Sequence, residues 1–358
     1  MPVDDSVATG RSQEVAQSAL EVLALLARAL IILSRSHPRH AFVLPYPSMA
    51  QSALDQIVLR CVVRQTDPPE SLPALINWCR RRTIGELPVD VPAHVVTPDA
   101  RLLSPRAAHP TRTCVELASY GPHGLVEQEA VRLLTRLADG CPSAVLFREC
   151  RTFLRHHPVV LRPQDQDVRV WEHVHHVYAR AGSGLLVCSG CGLPATRTLC
   201  EREECGRETP PPRVRAMPEG TLLLDPALRA FLCLPAPTER TVLETLTERG
   251  IEVELHDLGR SLFRLPSPPN VEPRLLGVYD RRHPALLAAR VSEFLSGTEA
   301  TLTVAVPDHH FRRRGFRAAF ETCLDVTASP RVVLTSPEDL GGTPVSSTRT
   351  PALKEADA

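Results

Sequence analysis

Lysine is almost absent from this chain of 358 residues. The sequence carries 41 basic side chains besides histidine, and Lys354 is the only lysine among them, so the other forty are arginines. A P-loop needs a lysine on its phosphates, a Schiff-base enzyme needs a lysine nucleophile, and a protein kinase needs a lysine on its third strand. Lys354 lies in a polar segment, 341–358, that we expect to be a disordered tail. The composition therefore excludes these three classes of enzyme.

Net charge and long apolar runs are also lacking. The 41 basic and 41 acidic side chains cancel, so a nucleic-acid partner has to be argued from local patches. The most apolar stretch, 19–34, contains Glu21 and Arg28 and is shorter than the roughly 20 residues that cross a bilayer. The opening residues MPVDDSVATG have no basic segment of the secretory kind. We therefore expect a cytoplasmic protein without a membrane partner, in which the 11 cysteines are reduced and clustered cysteines bind metal.

Apolar periodicity divides the chain into parts of different character. Helical patterns dominate the first half, and short β-branched runs alternate with helices in the second. We predict an α+β multidomain protein. Its predicted parts are a mainly helical domain at 1–182, a zinc ribbon at 183–208, a linker at 209–218, an α/β domain at 219–340 and the tail at 341–358. The helices expected in the first half are 13–35, 48–64, 71–82, 127–140, 143–157 and 167–181.

Four cysteines follow the helical half in the segment VCSGCGLPATRTLCEREECG. They are Cys188, Cys191, Cys200 and Cys205, separated by two, eight and four residues. Four thiolates at short spacing are typical of a closed, tetrahedral zinc site of the structural kind. We therefore predict a structural zinc ion without a catalytic role, in a segment that could also present Arg197, Arg202 and Arg207 to phosphates.

The α/β domain has the element order of a restriction-endonuclease-like core. Its predicted order is α-β-β-β-α-β-α-β, with IEVELHD, SLFRLP and RLLGVYD as the first three strands. In such a core an acid on the second strand and a D/E-x-K motif on the third hold a divalent metal that activates water. This chain has Leu262, Gly277 and Tyr279 at those positions, and the domain contains no lysine. The nuclease site is therefore predicted to be degenerate, with Asp257 and Asp280 as the acids that could substitute.

Several stretches resemble the restriction-endonuclease-related proteins that accompany PIWI-RE, a branch of prokaryotic Argonaute-like proteins, in three-gene defence islands. The stretches are NWCRRRTIGELPVDVP at 77–92, RLLSPRAAHPTRTCVELA at 101–118, FRECRTFLRHHPVV at 147–160, the four-cysteine segment, and GIEVELHDLGRSLFRL through VPDHHFRRRGF. The resemblance implies an aspartate at the position of Leu262 and a D-x-K motif at Gly277 to Tyr279. It also implies the PIWI-RE protein and the island helicase as partners.

Basic side chains follow the ends of two strands in the α/β domain. One group follows RLLGVYD and the other follows TLTVAVPD; together they comprise Arg281, Arg282, His283, His309, His310, Arg312, Arg313 and Arg314. A helical crossover between two such strands makes them parallel, so both groups are expected at one edge of the sheet. The sequence thus predicts a local basic patch suited to contacts with nucleic-acid phosphates, most plausibly those of DNA.

Three functional hypotheses are consistent with the sequence. The first is an accessory protein of a PIWI-RE defence system, with a catalytically impaired nuclease fold that binds nucleic acid or partner proteins. The second is an active DNA endonuclease that uses displaced acids and Mg²⁺. The third is a zinc-ribbon DNA-binding regulator. The missing lysine favours the first.

Overall fold

A computed structural model describes most of the chain. The described residues are 5–35, 45–105, 110–121, 124–181, 184–195, 200–202, 205, 213–257, 261–267 and 272–342. The predicted tail lies outside them from residue 343 onward. Among the described residues no helix combines the length and apolarity that a membrane crossing requires.

Six helices build the first unit. They are α1 (Asp5–Arg35), α2 (Ser48–Val63), α3 (Leu72–Arg81), α4 (Arg112–Ala118), α5 (Leu125–Gly140) and α6 (Ala144–His156). The hydroxyls of Ser71, Thr111 and Ser143 accept backbone N–H bonds and start α3, α4 and α6 respectively. The long helix α1 packs against α2 and α4, and its apolar residues from Ala19 to Leu33 form the centre of the largest core. The helical character predicted for this half is confirmed.

A small three-stranded sheet joins residues 222–224 to this first unit. Its strands are β1 (Val159–Val160), β2 (Tyr178–Arg180) and β6 (Leu222–Leu224), in the order β1-β6-β2 and antiparallel throughout. Leu224 and most of the apolar residues from Ala227 to Leu234 are buried in the same core as α1. The sequence places the start of the α/β domain at 219, whereas packing assigns 222–234 to the helical unit.

The segment 167–181 also departs from the helix predicted for it. Helix α7 (Val168–Val174) continues into a 3₁₀ turn, His175–Val177, and then into β2. Tyr178 and Arg180 pair with Leu224 and Leu222 of β6. Pairing with a strand distant in sequence thus overrides the local helical periodicity.

The cysteine segment forms a second small sheet. Its strands are β3 (Leu186–Cys188), β4 (Pro194–Ala195) and β5 (Val214–Ala216), in the order β4-β3-β5. Strand β5 lies within the predicted linker, where Leu186 pairs with Ala216 and Cys188 with Val214. The stretch after the cysteines is therefore part of the sheet that carries them.

The α/β domain contains a five-stranded sheet between two layers of helices. Its strands are β7 (Glu254–Asp257), β8 (Leu262–Leu265), β9 (Arg274–Val278), β10 (Thr301–Ala305) and β11 (Val332–Thr335), in the order β11-β10-β9-β8-β7. Helix α8 (Pro226–Leu228) belongs to the first unit, and the helices of the α/β domain are α9 (Ala236–Glu248), α10 (Pro284–Ser296), α11 (Asp308–Phe311), α12 (Phe316–Cys323) and α13 (Pro337–Gly342). Strands β7, β8 and β9 are antiparallel, whereas β9, β10 and β11 are parallel. This is the element order expected from the sequence.

Side-chain alternation gives the sheet two apolar faces. Leu262, Leu275, Leu302 and Val304 pack with residues of α10 and α12. Phe263, Leu276 and Val278 pack on the opposite face with Val242 and Leu246 of α9. A sheet covered on both faces presents its functional groups at strand ends, so the residues after β9 and β10 are the ones to examine.

Gly277 lies under the ring of Tyr279 on one face of β9. A Cβ atom added at Gly277 would approach the Cε2 atom of Tyr279 to 2.5 Å. We expect Gly277→Ala to destabilise the protein by about 1–2 kcal/mol, because the added methyl group overpacks this contact. In a Tyr279→Ala background the same change should be neutral or slightly stabilising, since alanine restricts the unfolded chain. Urea unfolding of the wild type, the two single variants and the double variant measures the coupling energy between the two positions. An equal loss of stability from Gly277→Ala in both backgrounds would contradict the contact.

Candidate functional site

The four cysteines converge on one point beside the first unit. The Sγ atoms of Cys188, Cys191, Cys200 and Cys205 all lie within 4.8 Å of one another. Cys188 ends β3, and Gly192, at φ +72°, lets the chain turn so that its N–H donates to the Cys188 carbonyl over 2.9 Å. Ala195 of β4 bridges to Cys200 and so brings the third cysteine to the first two. The cluster could hold a metal ion.

Hydrogen bonds between thiols, together with burial, shift the pKa values of the cysteine cluster. The hydrogen bond between Cys191 and Cys200, with the two sulfurs 3.9 Å apart, lowers the pKa of Cys191 to about 6. Burial raises the pKa of Cys205 to about 12, and the hydrogen bond with Cys191 raises that of Cys200. A cation that accepts four thiolates would replace these protons, and a set of four sulfurs leaves no position for a reacting water. The arrangement is that of a closed site.

A buried ionic network occupies the ends of β9 and β10. Arg112 of α4 places Nη2 2.5 Å from Asp280 Oδ1 and Nε 3.0 Å from Glu116 Oε1. His310 Nε2 lies 3.0 Å from the same Asp280 oxygen, and the ring of His310 stacks on Phe316. The helical unit therefore meets the α/β domain through charged groups that are almost fully buried. We call this contact the ionic seam, or simply the seam.

Glu116 anchors the start of α10. Its two carboxylate oxygens accept the backbone N–H groups of Arg282 and His283, over 2.8 and 3.1 Å. A carboxylate at this place also stabilises the positive end of the helix dipole. Farther along α10, Glu127 of α5 accepts two hydrogen bonds from Arg290, at 2.9 and 3.3 Å.

Burial and neighbouring charges shift the pKa values of the network in opposite directions. Burial alone would raise the pKa of Asp280, but Arg112 and His310 outweigh it and hold that pKa well below the usual range. The pKa of Glu116 is lowered in the same way, chiefly by Arg112. Burial lowers the pKa of His283 to about 4 despite the nearby Glu116 carboxylate. At neutral pH the seam thus contains ionised acids and a neutral His283.

Three residues of the predicted basic patch are buried in the structure. Arg281, His283 and His310 are each less than a tenth exposed, since α4 and the π-helical turn Arg229–Cys233 cover them. Arg281, for example, stacks on the ring of Phe231 at 4.0 Å. Strands β9 and β10 are parallel neighbours, as predicted, so the two groups do meet at one edge. Burial against the helical unit, which sequence patterns do not show, is what removes them from the surface.

The other basic residues of the predicted patch are more accessible. Arg312 is about two-thirds exposed and pairs with Glu338, and Arg314 is exposed. Arg282 and Arg313 are half-buried, and the Arg313 guanidinium donates to the Arg282 carbonyl. His309 is also half-buried and lies against the ring of His310. Only the part of the patch at 312–314 therefore keeps a surface character.

The positions of the predicted nuclease site lie side by side. Leu262 pairs directly with Gly277 across β8 and β9, and Tyr279 follows two residues later on the same face. Of the two substitute acids, Asp280 is bound by Arg112, while Asp257 ends β7. Among the described residues Asp280 does group with His309 and His310, with ligand atoms within 4.8 Å of one another. The Arg112 guanidinium supplies the positive charge there and competes with any metal ion for the Asp280 oxygen.

The sequence did not mark Arg112 and Glu116 as functional residues, although one signal was present. They stand four residues apart in RTCVELA, where every residue of α4 is buried. A charged pair at that spacing in a short, otherwise apolar helix indicates a buried ion pair.

We predict that Cys188→Ser lowers the metal content of the purified protein, because three thiolates and a hydroxyl bind zinc more weakly than four thiolates. Plasma mass spectrometry should find about one zinc per wild-type chain and much less in the variant. Cys323→Ser, which alters a half-buried cysteine of α12, is the matched control and should keep the metal. Equal metal in all three proteins would contradict the site.

We predict that His283 makes the stability depend on pH between about 6.5 and 4. An unfolded histidine titrates near 6.5, whereas the pKa of His283 in the fold is about 4. The folded state thus binds fewer protons in this window, so stability is complete above it and falls as the pH drops, by about 3 kcal/mol at most.

Urea unfolding at pH 7 and pH 4.5 tests this prediction. His283→Gln should lose less stability on acidification than the wild type does. His256→Gln, at an exposed position of β7, is the control and should behave as the wild type. An identical loss in His283→Gln and in the wild type would show that the seam is not the source.

Comparison with known proteins bears on the helical unit. The sequence model of the pPIWI_RE three-gene island domain Y family matches residues 22–161. The match runs from α1 through β1 and includes Arg112, Glu116 and Glu127, which hold the α/β domain. A search of the curated proteins finds no match. Residues 22–161, called domain Y below, are therefore similar to the pPIWI_RE three-gene island domain Y, and this similarity supports an association of the chain with PIWI-RE islands.

Proposed function

We propose that this chain is an accessory component of a PIWI-RE anti-mobile-element defence system. In this proposal the α/β domain is a restriction-endonuclease-like fold that has lost its catalytic centre. The protein acts by binding nucleic acid and the other island proteins. Domain Y supports the island association, and the side chains at three positions of the five-stranded sheet support the loss of catalysis.

The topology supports the nuclease fold. Helix α9 leads into the antiparallel strands β7, β8 and β9, and α10 then crosses to β10, which is parallel to β9. This is the arrangement in which the metal-binding acids occupy neighbouring positions on the second and third strands. Leu262 and Gly277 are such neighbours, paired across β8 and β9.

The side chains at these positions argue against catalysis, and this observation carries the proposal. Leu262 and Gly277 offer no oxygen to a metal ion, and Leu262 is buried in the core beneath α10 and α12. The ring of Tyr279 covers Gly277 and fills the space that an acid there would need. Magnesium requires carboxylate and water oxygens in an octahedral shell. A water-activating Mg²⁺ centre therefore has no ligand set at these positions.

The displaced acids give little support to the alternative of an active endonuclease. Asp280 is held by Arg112 and is 4% exposed, so a metal ion would have to displace a guanidinium inside a closed seam. Asp257 belongs to neither group of potential metal ligands among the described residues. We therefore favour a binding role over cleavage, with Mg²⁺ needed only under the alternative.

The cysteine cluster has a structural role in this proposal. A zinc ion bound by four thiolates would hold β3, β4, residues 200–202 and Cys205 together. Arg229, paired with Glu201 over 3.1 Å, joins that segment to the first unit. The alternative of a zinc-ribbon DNA-binding regulator would use the same cluster, but it would leave the α/β domain without a role.

The remaining surface arginines supply the proposed contact with nucleic acid. Arg312 and Arg314 lie beyond the end of β10, where guanidinium groups can bind phosphates without reading sequence. The PIWI-RE protein and the island helicase are the proposed protein partners, on the basis of the domain Y match.

Incubation with DNA tests the proposal. We expect purified protein to leave linear and plasmid DNA intact in the presence of Mg²⁺ or Mn²⁺, because the metal site has lost its ligands. Asp257→Asn is assayed in parallel, since this acid lies outside the ionic seam. Cleavage by the wild type that the Asp257→Asn change abolishes would overturn the proposal in favour of an endonuclease with displaced acids.

A further inference from the structure

An open cleft lies beside the cysteine cluster. Its volume is about 890 Å³, within the range of small-ligand sites. Helix α6 of domain Y, helix α9 of the α/β domain and the turn Gly190–Gly192 form its walls. We call it the knuckle cleft. It contains none of the degenerate nuclease positions and none of the surface arginines at 312–314.

One end of the knuckle cleft is basic. Arg155 and His156 of α6, Arg202 after the third cysteine, and Arg240 of α9 all line it. Arg240 is exposed, Arg202 is half-buried, and the side chain of Arg155 is 17% exposed. Arginines from three separate elements therefore line one space, and one of them, Arg155, is also paired with Glu239. The planar fork of arginine is suited to binding phosphate oxygens in pairs.

Glu201, the described acid next to Arg202, is paired with another arginine. Glu201 gives both of its carboxylate oxygens to Arg229, over 3.2 and 3.1 Å. The Nη2 atom of Arg202 reaches only the Cys233 carbonyl, at 3.4 Å, and its Nε atom has no hydrogen-bond partner among the described residues. Arg202 thus retains hydrogen-bond donors at the wall of the cleft.

Arg155, and Arg151 beside it on α6, also have hydrogen-bond donors without partners among the described residues. Arg151 and Arg155 share the carboxylate of Glu239, which accepts a further hydrogen bond from Ser261 over 2.5 Å, and Asp257 adds a smaller attraction to Arg151. The side chain of Arg151 is nine-tenths buried. Its Nε and Nη2 atoms, like the Nε atom of Arg155, lack a hydrogen-bond partner among the described residues. Buried donors without partners cost free energy, and an anion nearby would reduce that cost.

The other end of the knuckle cleft has a different character. Glu244 and Glu248 follow Arg240 at intervals of four residues on α9, about 6 and 12 Å further along the helix axis. Leu243 and Thr247 lie between them on the same wall. Carboxylates accept hydrogen bonds from the amino groups of bases and from sugar hydroxyls, but they repel a second phosphate.

We propose that the knuckle cleft binds one nucleotide through its phosphate, with the phosphate on the arginines and the sugar and base along α9. The acidic end excludes a continuous phosphate backbone, so the ligand is a 5′-phosphorylated strand end or a free mononucleotide. Binding of a strand end rests on the nucleic-acid binding in the proposed function, whereas binding of a free nucleotide does not.

Fluorescence anisotropy with a short single-stranded DNA tests the proposal. The probes are the same labelled strand with and without a 5′-phosphate, and unlabelled deoxyadenosine monophosphate is the competitor. We expect the phosphorylated strand to bind more tightly, and Arg202→Gln and Arg240→Gln each to weaken it about tenfold, the loss of one charged hydrogen bond. Arg136→Gln, at an exposed arginine of α5 outside the cleft, is the matched control and should change the affinity less than about twofold. Arg314→Gln is assayed beside it, because it reports on the surface contact of the proposed function.

The outcomes separate this proposal from the proposed function. Binding that Arg314→Gln weakens and that neither cleft variant affects would overturn the knuckle cleft and keep nucleic-acid binding at the surface. Mononucleotide binding that depends on Arg202 and Arg240, without DNA binding, would support the cleft with a free nucleotide and contradict the nucleic-acid contact. Equal affinity for both strands and no competition by the mononucleotide would also overturn the cleft. Zinc content and thermal unfolding confirm that each variant is folded.

Discussion

The ion pair between Arg112 and Asp280 is the contact on which the arrangement of this protein depends. It joins a helix of domain Y to the end of the central strand of the α/β domain, and both side chains are almost fully buried. Two charges in such surroundings are stable only as a pair, so removing either partner typically lowers the free energy of unfolding by about 3–5 kcal/mol. Glu116 and His310 complete the network, and the start of α10 is fixed by it. The two domains are thus held in one orientation.

This contact uses the place where an α/β sheet ordinarily presents its chemistry. Parallel strands β9 and β10 end at the seam, and the residues after them turn toward domain Y instead of toward solvent. Asp280 binds a guanidinium where a nuclease would use acids to bind a cation, and Gly277 lies beneath the ring of Tyr279. Loss of the catalytic ligands and closure of the strand ends are therefore consistent with each other. The candidate binding surfaces of the protein therefore lie elsewhere and include the knuckle cleft.

Local patterns predicted the elements because each depends on near neighbours in sequence. The helices α2, α3, α5 and α6 follow apolar periodicity, and their bounds differ from the prediction by at most two residues. The order of strands β7 to β11 followed from short β-branched runs separated by helices. Helix α7 and strand β6 were harder, because β2 and β6 pair across more than forty residues, and such pairing leaves no local period.

The sequence by itself determined which chemistry is absent and which cysteines cluster. One lysine outside the α/β domain, and Leu262, Gly277 and Tyr279 at the strand positions, are facts of composition and spacing. Only the tertiary structure decided which charges are buried. The sequence pattern predicts Arg281, His283 and His310 at the surface. In the structure α4, some 170 to 200 positions earlier in the chain, contacts His283 and His310, and the ring of Phe231 lies against Arg281. Burial and ion pairing are properties of contacts between distant segments, so no periodicity within either segment encodes them.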